Sequence, residues 1–179
     1  MRKWIICAAS AMFLGACGTG GTASPDADRL SVPVEEMEKT EGFILETEDG
    51  GVLVNDVFYS LDENTHLVSL GNGSEKELPP DGLEEGMRVT ACHSGSVALS
   101  LPARAYADVF VVHKDQEAAQ QAEAFRAFLD AEEEKPLLIN QAEFGQKKIR
   151  FDYTAVSNRG YRVVLDTDTH EYSKEPIEE

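Results

Sequence analysis

The chain has 179 residues, enough for one medium domain or two small ones, with 42% hydrophobic and 8% aromatic residues. Thirty-three acidic residues against sixteen basic ones give a formal net charge of −17, which excludes a nucleic-acid binder, because phosphate contacts need a basic footprint. No apolar run reaches the ~18 residues that a permanent membrane-spanning helix needs.

The first seventeen residues carry an address. Arg2 and Lys3 form a positive n-region and Trp4 to Phe13 a short apolar h-region. Leu14-Gly15-Ala16 then places small residues directly before Cys17. The sequence Leu-Gly-Ala-Cys resembles the lipobox of bacterial lipoproteins. That resemblance implies cleavage between Ala16 and Cys17, lipid on the Cys17 thiol, and attachment to the extracytoplasmic face of the cell membrane. Acyl chains hold at ~0.8 kcal/mol per buried methylene, so two or more anchor stably. The alternative, an ordinary secretory signal with an incidental cysteine, leaves the joint spacing unexplained. Removing residues 1–16 takes Arg2 and Lys3 away and moves the formal charge from −17 to −19. Cys7 leaves with the leader and Cys17 is lipidated, so Cys92 remains as a lone thiol without a disulfide partner. A buried small hydrophobe is the expected role for Cys92.

Residues 17–40 read as the lipidated cysteine and a tether. Gly18 to Asp28 is a low-complexity stretch of Gly, Thr and Ser, and about 20 such residues reach on the order of 25 Å. The first folded unit is expected over 41–113. Gly42 to Glu48, the turn Asp49-Gly50-Gly51, and Val52 to Tyr59 predict a hairpin, the Asp-Gly pair supplying positive φ. His66 to Leu70 is a weaker strand; Asn72-Gly73-Ser74 and Pro79-Pro80-Asp81-Gly82 read as loops. Met87 to His93 alternates, and a long strand is expected from Arg104 to His113. Ala103, Ala105, Ala107, Val109 and Val111 share one face of it. Small inward alanines suit a small barrel interior.

Residues 114–179 read as a helix and a small antiparallel sheet. Ala118, Ala122, Phe125 and Leu129 make one face of a helix over Asp115–Glu134, with Phe128 beside it. Asp115 caps its start and Pro136 stops its end. Leu137 to Asn140, Lys147 to Val156 and Tyr161 to Asp166 are strands, the last two joined by the turn Ser157-Asn-Arg-Gly160. So small a unit is expected to pack on the barrel. The fold class is therefore mainly β with α+β character: a small OB-like β-barrel, then a helix and a small antiparallel sheet.

Glu41-Gly-Phe-Ile-Leu-Glu, Val52-Leu-Val, Gly86-Met-Arg-Val and above all Ser94 to Asp108 resemble an uncharacterised lipoprotein family of Bacillus-like Gram-positive bacteria. Ser100, Pro102, Ala103, Ala105 and Ala107 match a stretch that closes that family's domain. The resemblance covers about residues 41–113 and implies an OB-like, partly open barrel. The tail is faintly similar to a second uncharacterised lipoprotein domain. Neither resemblance implies a catalytic residue.

Three constellations carry some chemistry. Asp166, Asp168 and His170 recur at period two, so on a continuous strand they would share a face and offer ligands to Ca²⁺ or a transition metal. The glycine bend and bidentate Glu of a Ca²⁺ loop are missing, and a solvated, charge-guarded edge is the simpler expectation. Lys147, Lys148, Arg150, Arg159 and Arg162 form the one basic cluster. Lys148 and Arg150, with Arg162 on the hairpin neighbour, could meet an anionic wall polymer or an acidic partner; internal pairing within this acidic chain is the alternative. The histidines at 66, 93, 113 and 170 lack metal spacing. Glu84-Glu85 and Glu132-Glu133-Glu134 read as solvated runs. P-loop, GxGxxG, GxSxG and HExxH motifs do not occur. Neither a cofactor nor catalysis is expected. The function expected is a non-catalytic binding module at the cell envelope, acting through the barrel's strand face or loops. The alternative is an accessory of another envelope protein, docking through the Phe125/Phe128 helix or the acidic faces.

Overall fold

A computed structural model describes residues 32–48, 50–134 and 138–177. Cys17, Ala16, Asp49 and Pro136 lie outside the described residues. Twelve strands and one α-helix follow one another as β1 (Glu38–Glu48), β2 (Gly51–Val54), β3 (Val57–Ser60), β4 (His66–Gly71), β5 (Ser74–Glu77), β6 (Arg88–His93), β7 (Ala103–Tyr106), β8 (Val109–His113), α1 (Gln116–Ala131), β9 (Leu138–Phe144), β10 (Lys148–Thr154), β11 (Gly160–Asp166) and β12 (Tyr172–Pro176). The protein is mainly β, with a large curled sheet and a second, smaller antiparallel one.

The large sheet has the order β5-β4-β8-β6-β1-β2-β3-β7. Its terminal strands β5 and β7 share no ladder, so the sheet is barrel-like but not closed. The curl comes from the chain itself. β7 at one edge runs through Ala107–Asp108 directly into β8, which lies between β4 and β6. Ala107 N–H donates to Ser60 C=O and Asp108 N–H to Cys92 C=O, which ties the bend to both sides. β3 and β7 are parallel, whereas β6 is antiparallel to both β1 and β8.

Several sequence expectations change here. Residues 32–40, expected in the tether, are folded: β1 starts at Glu38, and Met37, Val32 and Val34 pack with Cys92 and Val109. Val52 to Tyr59 is two strands, because Val54 pairs with Val57 around a two-residue turn whose first residue, Asn55, has φ 57°. Arg104 to His113 is likewise broken. Ala105 and Ala107 face the barrel interior, but beyond the bend Phe110 and Val112 do so, while Val109 turns to Cys92. Asn72-Gly73, at φ 51° and 74°, closes an unexpected hairpin of β4 with β5. In the tail β12 adds a fourth strand, giving the order β12-β11-β10-β9.

Helix α1 forms as its pattern demands. The Asp115 side chain caps the start by accepting from Ala118 N–H at 2.9 Å. The face of Ala118, Ala122, Phe125 and Leu129 is buried, together with Gln121, Ala124 and Phe128. The helix ends at Ala131, before Pro136.

Two cores share one strand. Ile44 points into the barrel with Val52, Val54, Tyr59, Val89, Phe110 and Val112. Its neighbours Phe43 and Leu45, and Leu53 of β2, point the other way, into a core with Phe125, Phe128, Ile149, Phe151, Tyr153, Val163 and Leu165. Arg88 of β6 fastens the layers. It ion-pairs with Glu41, donates to the buried Gln121 side chain of α1 at 2.7 Å, and lies 4.5 Å above the Phe144 ring of β9. The tail thus packs on the barrel-like sheet as its size required.

Candidate functional site: an acidic groove at the barrel edge

In an OB-like barrel the second and third strands usually present the ligand surface. Here that face is occupied. Leu53 is buried beneath the tail, and Phe58 packs against the same core.

A groove of about 810 Å³ opens between the segment Leu61–Leu67 and the segment Glu77–Pro80. Its first wall follows β3 and is stitched down locally. Leu61 N–H donates to Gly50 C=O, Asp62 accepts from Asn64 N–H at 2.8 Å, and Thr65 Oγ1 donates to Ala107 C=O at 2.9 Å. His66 N–H donates to Asp108 C=O, so the groove floor is fixed to the β7–β8 bend. The second wall is set by Leu78 N–H donating to Leu67 C=O and by the Pro79-Pro80 turn. Leu61, Leu67, Leu78 and the exposed prolines give the groove an apolar lining, to which the exposed Asp62, Glu63 and Glu77 add negative charge. His66 Nε2 lies 3.3 Å from Glu75 Oε1. Such a site accepts neutral polar or cationic ligands with an apolar side and repels anions. Sequence reasoning marked Pro79-Pro80 and His66 but missed the groove, because its walls meet only through the β4–β5 hairpin.

A second polar cluster lies at the C-terminal end of α1. Glu132, buried, accepts from Tyr153 Oη at 3.0 Å, Tyr172 Oη at 3.3 Å and Lys174 Nζ at 2.9 Å. The Lys174 ammonium also lies 4.7 Å from the Tyr161 ring centre. Burial lifts the Tyr153 phenol to about 12, with Glu132 adding to the shift. Burial is the largest single influence on Lys174 and opposes its charge, but the hydrogen bonds and charges of Glu132 and Tyr153 together outweigh it and hold the ammonium above the usual lysine range. Each member of the cluster is engaged with another, so it ties helix to sheet. Glu132, read from sequence as part of a solvated run, is its centre.

The sequence-marked residues are placed as follows. Asp166, Asp168 and His170 do not line one strand face: β11 ends at Asp166, whose carboxylate accepts from Asp168 N–H and Thr169 N–H, and His170 has φ 60°. Asp168 bonds Gln120 and Lys147 instead. Among the described residues no group of three His, Cys, Asp or Glu side chains is arranged to hold a metal. In the basic cluster Arg162 forms a two-point ion pair with Asp152, at 2.8 and 2.7 Å, and Arg159 pairs with Glu134. Lys148 and Arg150 stay exposed on β10. Cys92 is buried, and burial pushes its thiol up. Phe125 and Phe128, offered as a docking face, are fully buried in the shared core.

The fold defines a two-layer β-rich protein, a barrel-like sheet whose β2–β3 face is covered by a helix and a small antiparallel sheet. No family model, curated protein or solved structure matches the chain.

Proposed function

We propose that this protein is a lipid-anchored, extracytoplasmic binding module of the bacterial cell envelope, non-catalytic, with the groove between Leu61–Leu67 and Glu77–Pro80 as its ligand site. The observation that carries the reading is the joint occurrence of Arg2-Lys3, the apolar stretch Trp4–Phe13 and Leu14-Gly-Ala-Cys17 at the spacing of a lipoprotein leader. The resemblance of residues 41–113 to Bacillus-like lipoproteins supports the same location. Membrane attachment would come through lipid on Cys17.

Two measurements test it. Metabolic labelling with an alkyne palmitate should mark the protein in its membrane fraction, and Cys17→Ala should lose the label; retained label at Cys17→Ala rejects the anchor. A melting screen against divalent metals, wall fragments and saccharides should show a ligand that stabilises the protein, an effect equal to roughly 2.7 kcal/mol at a hundredfold excess over Kd. Leu78→Asp, in the groove, should abolish that shift. If no ligand shifts the melting point and crosslinking in membranes captures one stoichiometric protein, the accessory role replaces the binding role.

A further inference from the structure

We propose that the loop Ser94–Pro102, with Val156 beside it, is a shallow membrane-docking surface that seats the tethered body on the lipid interface. The proposal rests on the lipid-anchor reading for its efficiency but not for its geometry.

Three observations carry it. First, Leu99 is 98% and Leu101 84% exposed, values that leave both side chains almost without contact with their own fold. Second, they sit in an uncharged stretch, Ser94 to Ala103, within a chain of net charge −17. Third, the loop adjoins an apolar turn of the second layer. Leu101 and Pro102 share a groove of about 340 Å³ with Ala155 and Val156 of the β10–β11 turn, and Val156 is 65% exposed. The Ala98–Arg104 bridge closes the loop and holds its tip outward.

The surroundings set the depth. Arg104 lies 4.9 Å above the Phe58 ring at the base of the loop, where a guanidinium can reach lipid phosphate as the leucines enter. Glu46 and Glu48 form the far wall of the groove and resist deeper insertion. An interfacial element of this kind enters by about 5–10 Å. A protein partner recognises side chains that form a pocket or fill one, whereas Leu99 projects alone. An isolated projecting leucine gains contact on every side only in a medium that closes around it.

Two leucines bind a bilayer weakly by themselves, and the anchor makes that sufficient. From Cys17 to Val32 the chain can span at most about 50 Å, which keeps the body within reach of the membrane at high effective concentration.

The test uses the full chain carrying Trp4→Phe and Leu99→Trp, reconstituted in phosphatidylcholine vesicles with and without brominated acyl chains. The introduced indole should shift to the blue and lose at least half its emission to the bromines, whereas Trp4→Phe with Leu70→Trp should do neither. Adding Cys17→Ala to the chain freed of residues 1–16 should preserve the response while raising the lipid concentration it needs on the order of a hundredfold. An indole that remains in water in both the anchored and the Cys17→Ala form overturns the proposal. So does burial of the indole in lipid-free solution that grows with protein concentration, which would assign the patch to a second copy of the chain. An unacylated Cys17 with a responding indole overturns only the anchor.

Discussion

Phe43 of the barrel-like sheet lies face to face with Phe125 of the helix, ring centres 4.0 Å apart and planes 7° from parallel. This pair is where the two layers become one cooperative body, because Phe125 also meets Phe151 edge-on at 5.6 Å while Phe43 sits in the strand whose other face lines the barrel. Aromatic contact of this kind adds to an already large area of buried surface.

Phe125→Ala should therefore destabilise the whole molecule by about 3–5 kcal/mol, the usual result of emptying a buried aromatic site. Hydrogen exchange should show protection falling in β1 and β2 as well as in β10 and β11. A variant in which only the tail loosens would contradict a shared core.

Lys174→Met leaves the buried Glu132 carboxylate without its counter-ion. Breaking such a pair costs about 3–5 kcal/mol when both partners are buried, and Lys174 keeps a side chain 33% exposed, so a loss of about 2 kcal/mol is expected in urea denaturation. Adding Glu132→Gln should recover part of it. Equal losses in the single and double variants would deny the coupling.

The pH profile follows from groups whose proton affinity changes on folding. Tyr153 rises to about 12 through burial, Tyr59 and Tyr172 rise for the same reason, and Lys174 is raised because Glu132 and Tyr153 together outweigh its burial. Each binds its proton more tightly when folded, so their contribution is complete below about pH 10 and is lost as the pH climbs past it. His113 moves the other way: burial, aided by Arg88, lowers it, so stability is complete above about pH 6.5 and declines below. Asp115 is depressed chiefly by the Ala118 N–H bond and Asp152 by its bond to Arg162, and both lose their contribution as the pH falls below about 4. The buried Cys92 thiol is raised too, so urea midpoints from pH 4 to 11 should trace a plateau between about 7 and 8.5, with the steeper loss above about 10. His113→Gln should flatten the decline between pH 7 and 5; an unchanged decline would assign it elsewhere.

Gly42→Ala should destabilise by roughly 2 kcal/mol through overpacking. A Cβ there would stand 2.1 Å from Oδ1 of Asn55, whose side chain is held by a 3.0 Å bond to Glu41 C=O and whose backbone makes the β2–β3 turn. Gly95→Ala, with open space around it, should be nearly neutral. Thermal melts of the two variants compare them directly.

Much of the architecture was legible because local rules act over a few residues. The Asp115 cap, the Ala118–Leu129 stripe and the alternation of Ile149, Phe151, Tyr153 and Ala155 each appear in the structure as their spacing dictates. The breaks at Asn55–Asp56 and Ala107–Asp108 were not legible. Neither carries a glycine or proline: the first is the turn by which β2 folds back on β3, and the second exists because β7 pairs with β3 while β8 pairs with β4 and β6. The run Phe43-Ile44-Leu45 held an unused signal: three consecutive apolar residues mark a strand buried on both faces, which here means a second layer over the sheet.

The same division applies to function. The sequence by itself carries the leader pattern on which the proposed address rests, since a leader is read as an extended peptide and needs no fold. It determined the acidic character too, because charge is a property of composition. The uncharged stretch from Ser94 to Ala103 is visible there as well, but only the tertiary structure decided that Leu99 and Leu101 point outward. It alone placed Glu132 in the interior beside Lys174, and it alone buried Leu53 on the face an OB-like barrel would offer to a ligand. Burial and exposure depend on what folds back from more than forty residues away, and pattern along the chain carries no record of that distance.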